Sequence, residues 1–219
     1  MDILNAMRSF YGEFARRLSG DAAAPVRLAR RTWGLAAIAL IGFSVFALPQ
    51  SAQSQRVYDE YEVKAAFIYN CMLFVDWPNE TDNESKKPYT ICILGEDPFG
   101  KFLNTIARTK TIQSRPIKIQ RIKSLEEFKD AHILFISKNE QRNLKKILET
   151  VSDKPILTIA DFSGFADNGG VLEFLLINNR VNFRVNEKTA NQAKLRMSAQ
   201  LLNLAVEIIR DPEAEGASE

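Results

Sequence analysis

One histidine, His132, and two cysteines, Cys71 and Cys92, are all that this 219-residue chain offers of the side chains that most often ligate metals or act as nucleophile and base. Structural zinc sites draw on several Cys and His ligands, so the usual multi-ligand sites are excluded. A histidine-dependent triad is left with one candidate imidazole. No Gly-x-Ser-x-Gly motif and no carboxylate pair with an adjacent base accompanies it. His132 itself opens an apolar run, His132–Ile136, where a structural role suits it better than ligation. These residues point to a binder without cofactor or metal rather than to an enzyme.

Gly95-Glu-Asp-Pro-Phe-Gly-Lys101 has the glycine and lysine spacing of a phosphate-binding P-loop. Its chemistry is wrong for phosphate. Position 102 is phenylalanine, so the magnesium-binding hydroxyl is missing. Pro98 removes a backbone N–H from the cradle, and Glu96 and Asp97 repel an anion. The segment reads instead as a helix start, with Asp97 as N-cap and Pro98 at the first helical position.

The loop Asp161-Phe-Ser-Gly-Phe-Ala-Asp-Asn-Gly-Gly170 follows an apolar run, at the place where open α/β sheets bind ligands. Phe162, Phe165 and the paired glycines either shape a pocket or fold the chain over the core. With Glu96, Asp97, Phe99 and Asp161 they form the candidate ligand or partner loops. Cys71 and Cys92 admit two readings, a disulfide across helix-on-sheet packing or two inert buried thiols. Between Lys101 and Lys123 stand seven basic residues and no acid. Arg108, Lys110, Arg115 and Lys118 lie in that run as a candidate contact surface for an acidic partner or anionic lipid; its alternative is a solvated face.

The elements that position these residues follow from periodicity. Asp59–Val63 opens a helix, with Val63, Phe67, Cys71 and Phe74 on one face and Trp77-Pro78 at its end. Asn79–Lys87 is a polar loop. Tyr89–Leu94, Pro116–Ile122, His132–Ile136 and Pro155–Ile159 read as strands. Helices over Pro98–Arg108, Ser124–Lys129 and Asn139–Val151 separate them, a pattern that predicts parallel pairing with both faces covered. Val171–Ile177 and Arg180–Asn186 flank Asn178-Asn179, a pair suited to a two-residue hairpin turn. That register sets Phe174 opposite Phe183, Leu172 opposite Val185, Leu176 opposite Val181 and Glu173 opposite Arg184. From Asn186 an apolar repeat through Ala190, Ala193, Met197, Leu201, Leu204 and Ile208 predicts one long closing helix.

Overall composition, 46% hydrophobic and 26% charged with a formal charge of +2, is that of a globular protein and offers no bulk attraction to nucleic acid. The average joins two different polypeptides. Arg27, Arg30 and Arg31 precede seventeen uncharged residues, Trp33–Pro49, and then Ser51, Ala52 and Ser54. This is the layout of a secretory signal with cleavage near Gln55; an uncleaved membrane anchor is the competing reading. Residues 1–54 hold six of the 29 basic and three of the 27 acidic groups, so the remainder is close to neutral.

Tyr61-Glu-Val-Lys-Ala-Ala-Phe-Ile-Tyr-Asn70, Phe74-Val-Asp-Trp-Pro78, Ile91–Gly100, His132–Ile136, Leu157–Asp161, Gly169-Gly170 and Asn186…Leu201-Leu-Asn-Leu-Ala205 follow one another in an order and spacing that resembles the YfiR family of exported bacterial proteins. The resemblance spans about residues 57–209. It implies a periplasmic α/β domain that restrains an inner-membrane diguanylate cyclase by contact with its periplasmic part, lowering cyclic di-GMP and biofilm formation. Two positions depart from the family. Cys71 stands where relatives carry an apolar aromatic, and Ala131 where several carry a cysteine, so the family's oxidation-dependent bridges are rewired or lost.

The expectation is therefore a single three-layer α/β/α domain over residues 55–211, with a mostly parallel sheet, a C-terminal β-hairpin and a long closing helix. A leader (1–54) and a disordered acidic tail (212–219) flank it. The expected partner is the periplasmic domain of a membrane-bound diguanylate cyclase, with a homodimer and a small-molecule ligand as further partners and no nucleic acid.

Overall fold

In the computed structural model the described residues are 59–78 and 87–211. The expected leader, most of the polar loop (79–86) and the acidic tail (212–219) lie outside them.

Helix α1 (Glu60–Phe74) starts where Asp59 accepts the Tyr61 N–H at 3.0 Å, with Glu60 and Glu62 in the first turn where the helix dipole favours acids. It buries Phe67, Ile68, Cys71, Met72 and Phe74. Val75–Asp76 (β1) then leaves the helix as a short strand. Next come β2 (Tyr89–Leu94), α2 (Lys101–Thr109), β3 (Thr111–Ile112) and β4 (Arg115–Ile122). A 3₁₀ turn (Leu125–Glu127) leads to β5 (Ile133–Ile136), a second 3₁₀ segment (Lys138–Asn143), α3 (Leu144–Val151) and β6 (Leu157–Ala160). The chain closes with β7 (Leu172–Ile177), β8 (Arg180–Asn186), α4 (Glu187–Gln192), β9 (Arg196–Met197), α5 (Ala199–Leu202) and β10 (Glu207–Ile209).

Eight strands form one sheet in the order β10-β8-β7-β6-β5-β2-β4-β3. Five of its seven pairings are parallel; the antiparallel ones are β7–β8 and β3–β4. Strands β2, β5 and β6 are largely apolar and almost wholly buried because helices cover both their faces. On one face α1 sets Phe67 edge-on to Phe174 and Phe183. On the other, Leu144, Ile147 and Val151 of α3 pack with Cys92, Leu94, Leu134 and Ile136. The α/β fold and mostly parallel sheet match the expectation. So does the hairpin: Leu172 faces Val185, Glu173 faces Arg184, Phe174 faces Phe183 and Leu176 faces Val181. Asn178 and Asn179 take φ of 49° and 62°, the left-handed pair that a two-residue turn of this type requires.

The long closing helix is not there. The helix stops at Gln192, and Lys194 turns left-handed at φ 59° while Leu195 donates back to the Ala190 carbonyl. Arg196–Met197 pairs antiparallel with Val75–Asp76. Ser198 caps the single turn of α5, and Glu207–Ile209 joins the sheet parallel to β8. The apolar repeat was real, since Ala190, Ala193 and Leu201 are buried. The open edge of β8 offered backbone partners, and β-branched Val206, Ile208 and Ile209 took them; tertiary pairing overrode a helical period. Two other helices begin later than expected. Asp97 closes a turn onto the Phe99 N–H at 2.7 Å rather than capping a helix, and Gly100 is the N-cap of α2. Lys138–Asn143 is 3₁₀, so α3 starts only at Leu144.

Candidate functional site

The carboxyl ends of β2, β5 and β6 come together with the first turns of α1, and the loops that leave them are held by side chains. Lys64, on the buried face of α1 and 3% exposed, donates to Asp161 Oδ2 at 2.8 Å, directly after β6, and pairs with Glu60 at 2.5 Å. The Tyr61 hydroxyl donates to the same Asp161 oxygen at 3.0 Å. The Lys64 ammonium also lies 4.4 Å from the Tyr61 ring centre. Burial raises the Tyr61 hydroxyl pKa well above that of a free tyrosine, and the Asp161 carboxylate raises it further. It stays a neutral donor.

From Tyr61 the arrangement continues into the Gly95–Gly100 loop. Phe99 meets the Tyr61 ring edge-on at 5.7 Å and Phe135 at 4.7 Å. The loop spends its own N–H groups internally. Gly95 donates to the Ile122 carbonyl, Glu96 to Asn139 Oδ1 at 3.3 Å and Phe99 to Asp97. Ser137 Oγ donates to the Glu96 carbonyl. A phosphate cradle needs those donors free. Gly95 is required at φ 91°, where a Cβ would stand 2.5 Å from Asn139 Oδ1.

The Asp161–Gly170 loop is pinned at its far end. Arg184 pairs with Asp167, with Glu173 at 3.1 Å and with Glu207 at 3.3 Å. Glu173, 1% exposed, accepts the N–H groups of Gly164 at 3.2 Å and Ala166 at 2.8 Å. Phe162 and Phe165, rings 5.5 Å apart, point into the core on the α3 side. Open grooves of about 560 Å³ and 500 Å³ flank Leu148 there. Gln141, Arg142, Lys145, Phe162, Ser163 and Asn168 line the larger. The Gly95–Gly100 loop lines neither.

Of the residues singled out from sequence, Phe99 and Asp161 therefore meet around Tyr61, while Glu96 is exposed and Asp97 holds Arg121 at 2.7 Å. The basic run reaches the surface only in part. Arg115 is buried, its guanidinium 3.9 Å from the Tyr89 ring centre and its Nε donating to the Lys87 carbonyl; Arg108, Lys110 and Lys118 are exposed. Cys71 and Cys92 are free and buried. Cys92 packs with α3 on one face of the sheet and Cys71 belongs to the α1 face, so the sheet separates the thiols. Burial pushes the two thiols up to about 12 and about 11. His132 Nδ1 accepts the Thr90 N–H at 3.1 Å between the rings of Trp77 and Tyr89. Among the described residues no group of three or more His, Cys, Asp or Glu is placed to hold a metal.

Lys64 and Tyr61 were missed in the sequence, although a lysine one turn before Ile68 inside an apolar stripe signals a buried cation in want of a carboxylate.

A family model described as YfiR/HmsC-like matches residues 61–206, well over half of the chain. The chain belongs to the YfiR/HmsC-like family. It is a family of periplasmic regulators of cyclic di-GMP signalling rather than of catalysts. No curated protein matches the chain. Among solved structures, the ABC domain in complex with L-Trp from Streptococcus pneumonia is similar at 8% identity and a TM-score of 0.47, covering 68% of this chain and 60% of its own. A conserved domain protein from Vibrio cholerae is similar at 9% identity and a TM-score of 0.48, over the same shares of the two chains. This YfiR/HmsC-like chain thus spans about three fifths of the length of either protein. Among its described residues no helix is long and apolar enough to cross a membrane.

Proposed function

We propose that this YfiR/HmsC-like protein is an exported regulator that restrains an inner-membrane diguanylate cyclase by contact with its periplasmic part. Residues 1–54 act as the leader, residues 55–211 as the working domain and residues 212–219 as a tail. The family match over residues 61–206 carries this reading.

The geometry of the carboxyl edge supports it. The loops that bear Glu96, Phe99 and Asp161 are cross-tied by Lys64, Tyr61, Ser137 and Arg184. A surface already ordered loses little conformational freedom when a partner docks. The mechanism is a population shift, in which the inactive cyclase is bound more tightly than the active one. A tenfold bias needs a differential affinity of about 1.4 kcal/mol. Deleting the gene is expected to raise cyclic di-GMP and surface attachment. Unchanged levels of both sink the proposal.

The grooves beside Leu148 favour a second reading, a periplasmic small-molecule binder without a cyclase partner. In a thermal-shift screen of the protein, a compound that raises the midpoint favours this reading.

A further inference from the structure

One edge of the sheet ends early. β3 pairs with β4 only through Thr111–Pro116 and Ile112–Arg115, while β4 runs on to Ile122, matched residue for residue with β2. The Ile122 carbonyl accepts from Gly95 on the β2 side. Backbone groups alternate sides along a strand, so Ile117, Ile119 and Arg121 direct theirs outward; Ile117 lies where the hairpin with β3 ends, and beyond it no described strand pairs with Ile119 or Arg121.

The exposed side chains around this edge are mostly basic. Arg108, Lys110, Lys118 and Lys123 are exposed and form no ion pair with a described residue. No acid occurs from Lys101 to Lys123. Of the acids bonded to the region, Asp97 is paired with Arg121, while Glu127 accepts the Lys123 N–H at 3.3 Å and keeps its charge, so the balance stays basic. Lysine on an edge strand is a common guard against aggregation. Here the guard surrounds an edge left open at Ile119 and Arg121, and an acid-free run of this length exceeds what guarding needs.

We propose that the free edge of β4 is a docking site for an extended acidic segment of a partner protein, added as a further strand. The two faces of β4 set the pattern of that segment. Lys118 and Gln120 lie on the face shared with Cys92, whereas Ile117 and Ile119 lie on the face shared with Ile91. A strand laid beside them alternates acidic with β-branched apolar residues. This surface uses neither the carboxyl-edge loops nor the cyclase reading, so it stands or falls separately.

The probe is an acetylated octapeptide alternating valine and glutamate, titrated onto the purified protein by fluorescence anisotropy. Binding is expected to weaken as salt rises and to be lost with the lysine-for-glutamate peptide. The double variant Lys110→Glu/Lys118→Glu, both positions exposed, is expected to weaken it at least tenfold with an unchanged melting midpoint. Ile119→Pro removes an outward N–H without touching the ladder to β2, and it is expected to weaken binding as much. No binding at millimolar peptide overturns the proposal, as does full binding by a folded Ile119→Pro variant. Charge-dependent binding to phosphatidylcholine–phosphatidylglycerol vesicles without peptide binding also overturns it and makes the surface a lipid contact.

Discussion

Lys64 and Asp161, 97 residues apart in sequence, meet at 2.8 Å with their side chains 4% and 7% exposed. The pair ties the first turn of α1 to the end of β6. An isolated buried ammonium is strongly unfavourable, so the helix packs in this register only if the carboxylate is in place. The Tyr61 hydroxyl fills a second acceptor direction on the same oxygen, which makes Asp161 the hub of the candidate site.

Removing that hub has a definite expected outcome. Asp161→Ala is expected to destabilise the protein by about 3 kcal/mol, the low end for a broken buried pair because Glu60 still holds Lys64. Lys64→Met combined with Asp161→Leu is expected to recover most of that loss, since an apolar pair of similar volume leaves no orphaned charge. Urea denaturation of the two variants and the parent measures both, and equal destabilisation by single and double variants contradicts the argument.

Arg184 is expected to matter chiefly through Glu173. Burial works against its charge, but the hydrogen bonds it donates to Asp167, Glu173 and Glu207 outweigh this and keep the guanidinium protonated. Asp167 and Glu207 are more than half exposed and contribute little. Glu173 is buried, so Arg184→Met strands its carboxylate with only two backbone donors. The expected loss is about 3 kcal/mol. Amide exchange should accelerate at Gly164 and Ala166 before it does in β5, because that loop is what Glu173 holds.

The two thiols set a pH dependence at the alkaline end. Their folded values, about 12 for Cys71 and about 11 for Cys92, lie above the roughly 8.5 of a free thiol. Above about pH 8.5 the unfolded chain releases protons that the native protein keeps, so the unfolded state binds fewer and stability falls as pH rises. Cys71→Ala with Cys92→Ala is expected to flatten that fall between pH 8.5 and 10, measured as unfolding free energy against pH. The parent's thiols should label with a disulfide reagent only as fast as the protein unfolds.

Much of the architecture was legible in the chain. β2 lies at Tyr89–Leu94 as its residues indicated, and the hairpin register followed from Asn178-Asn179 and four matched pairs. Both signals are local: alternation, burial run and turn chemistry act over fewer than ten residues. The family was legible through the order of its segments. The site was legible only in part, because Asp161 and Phe99 stood out while Lys64 and Tyr61 looked like ordinary members of an amphipathic helix.

By itself the sequence determined the six principal strands β2 and β4–β8, the turn, the near-neutral charge of residues 55–219 and the scarcity of catalytic side chains, all properties of composition and short-range period. Tertiary structure alone decided three things. It broke the closing helix, because the edge of β8 competed for the backbone of Glu207–Ile209. It set Cys71 and Cys92 on opposite faces of a sheet whose strand order no local pattern encodes. And it brought Lys64 to Asp161, since a buried charge finds its partner only once the layers between them have packed.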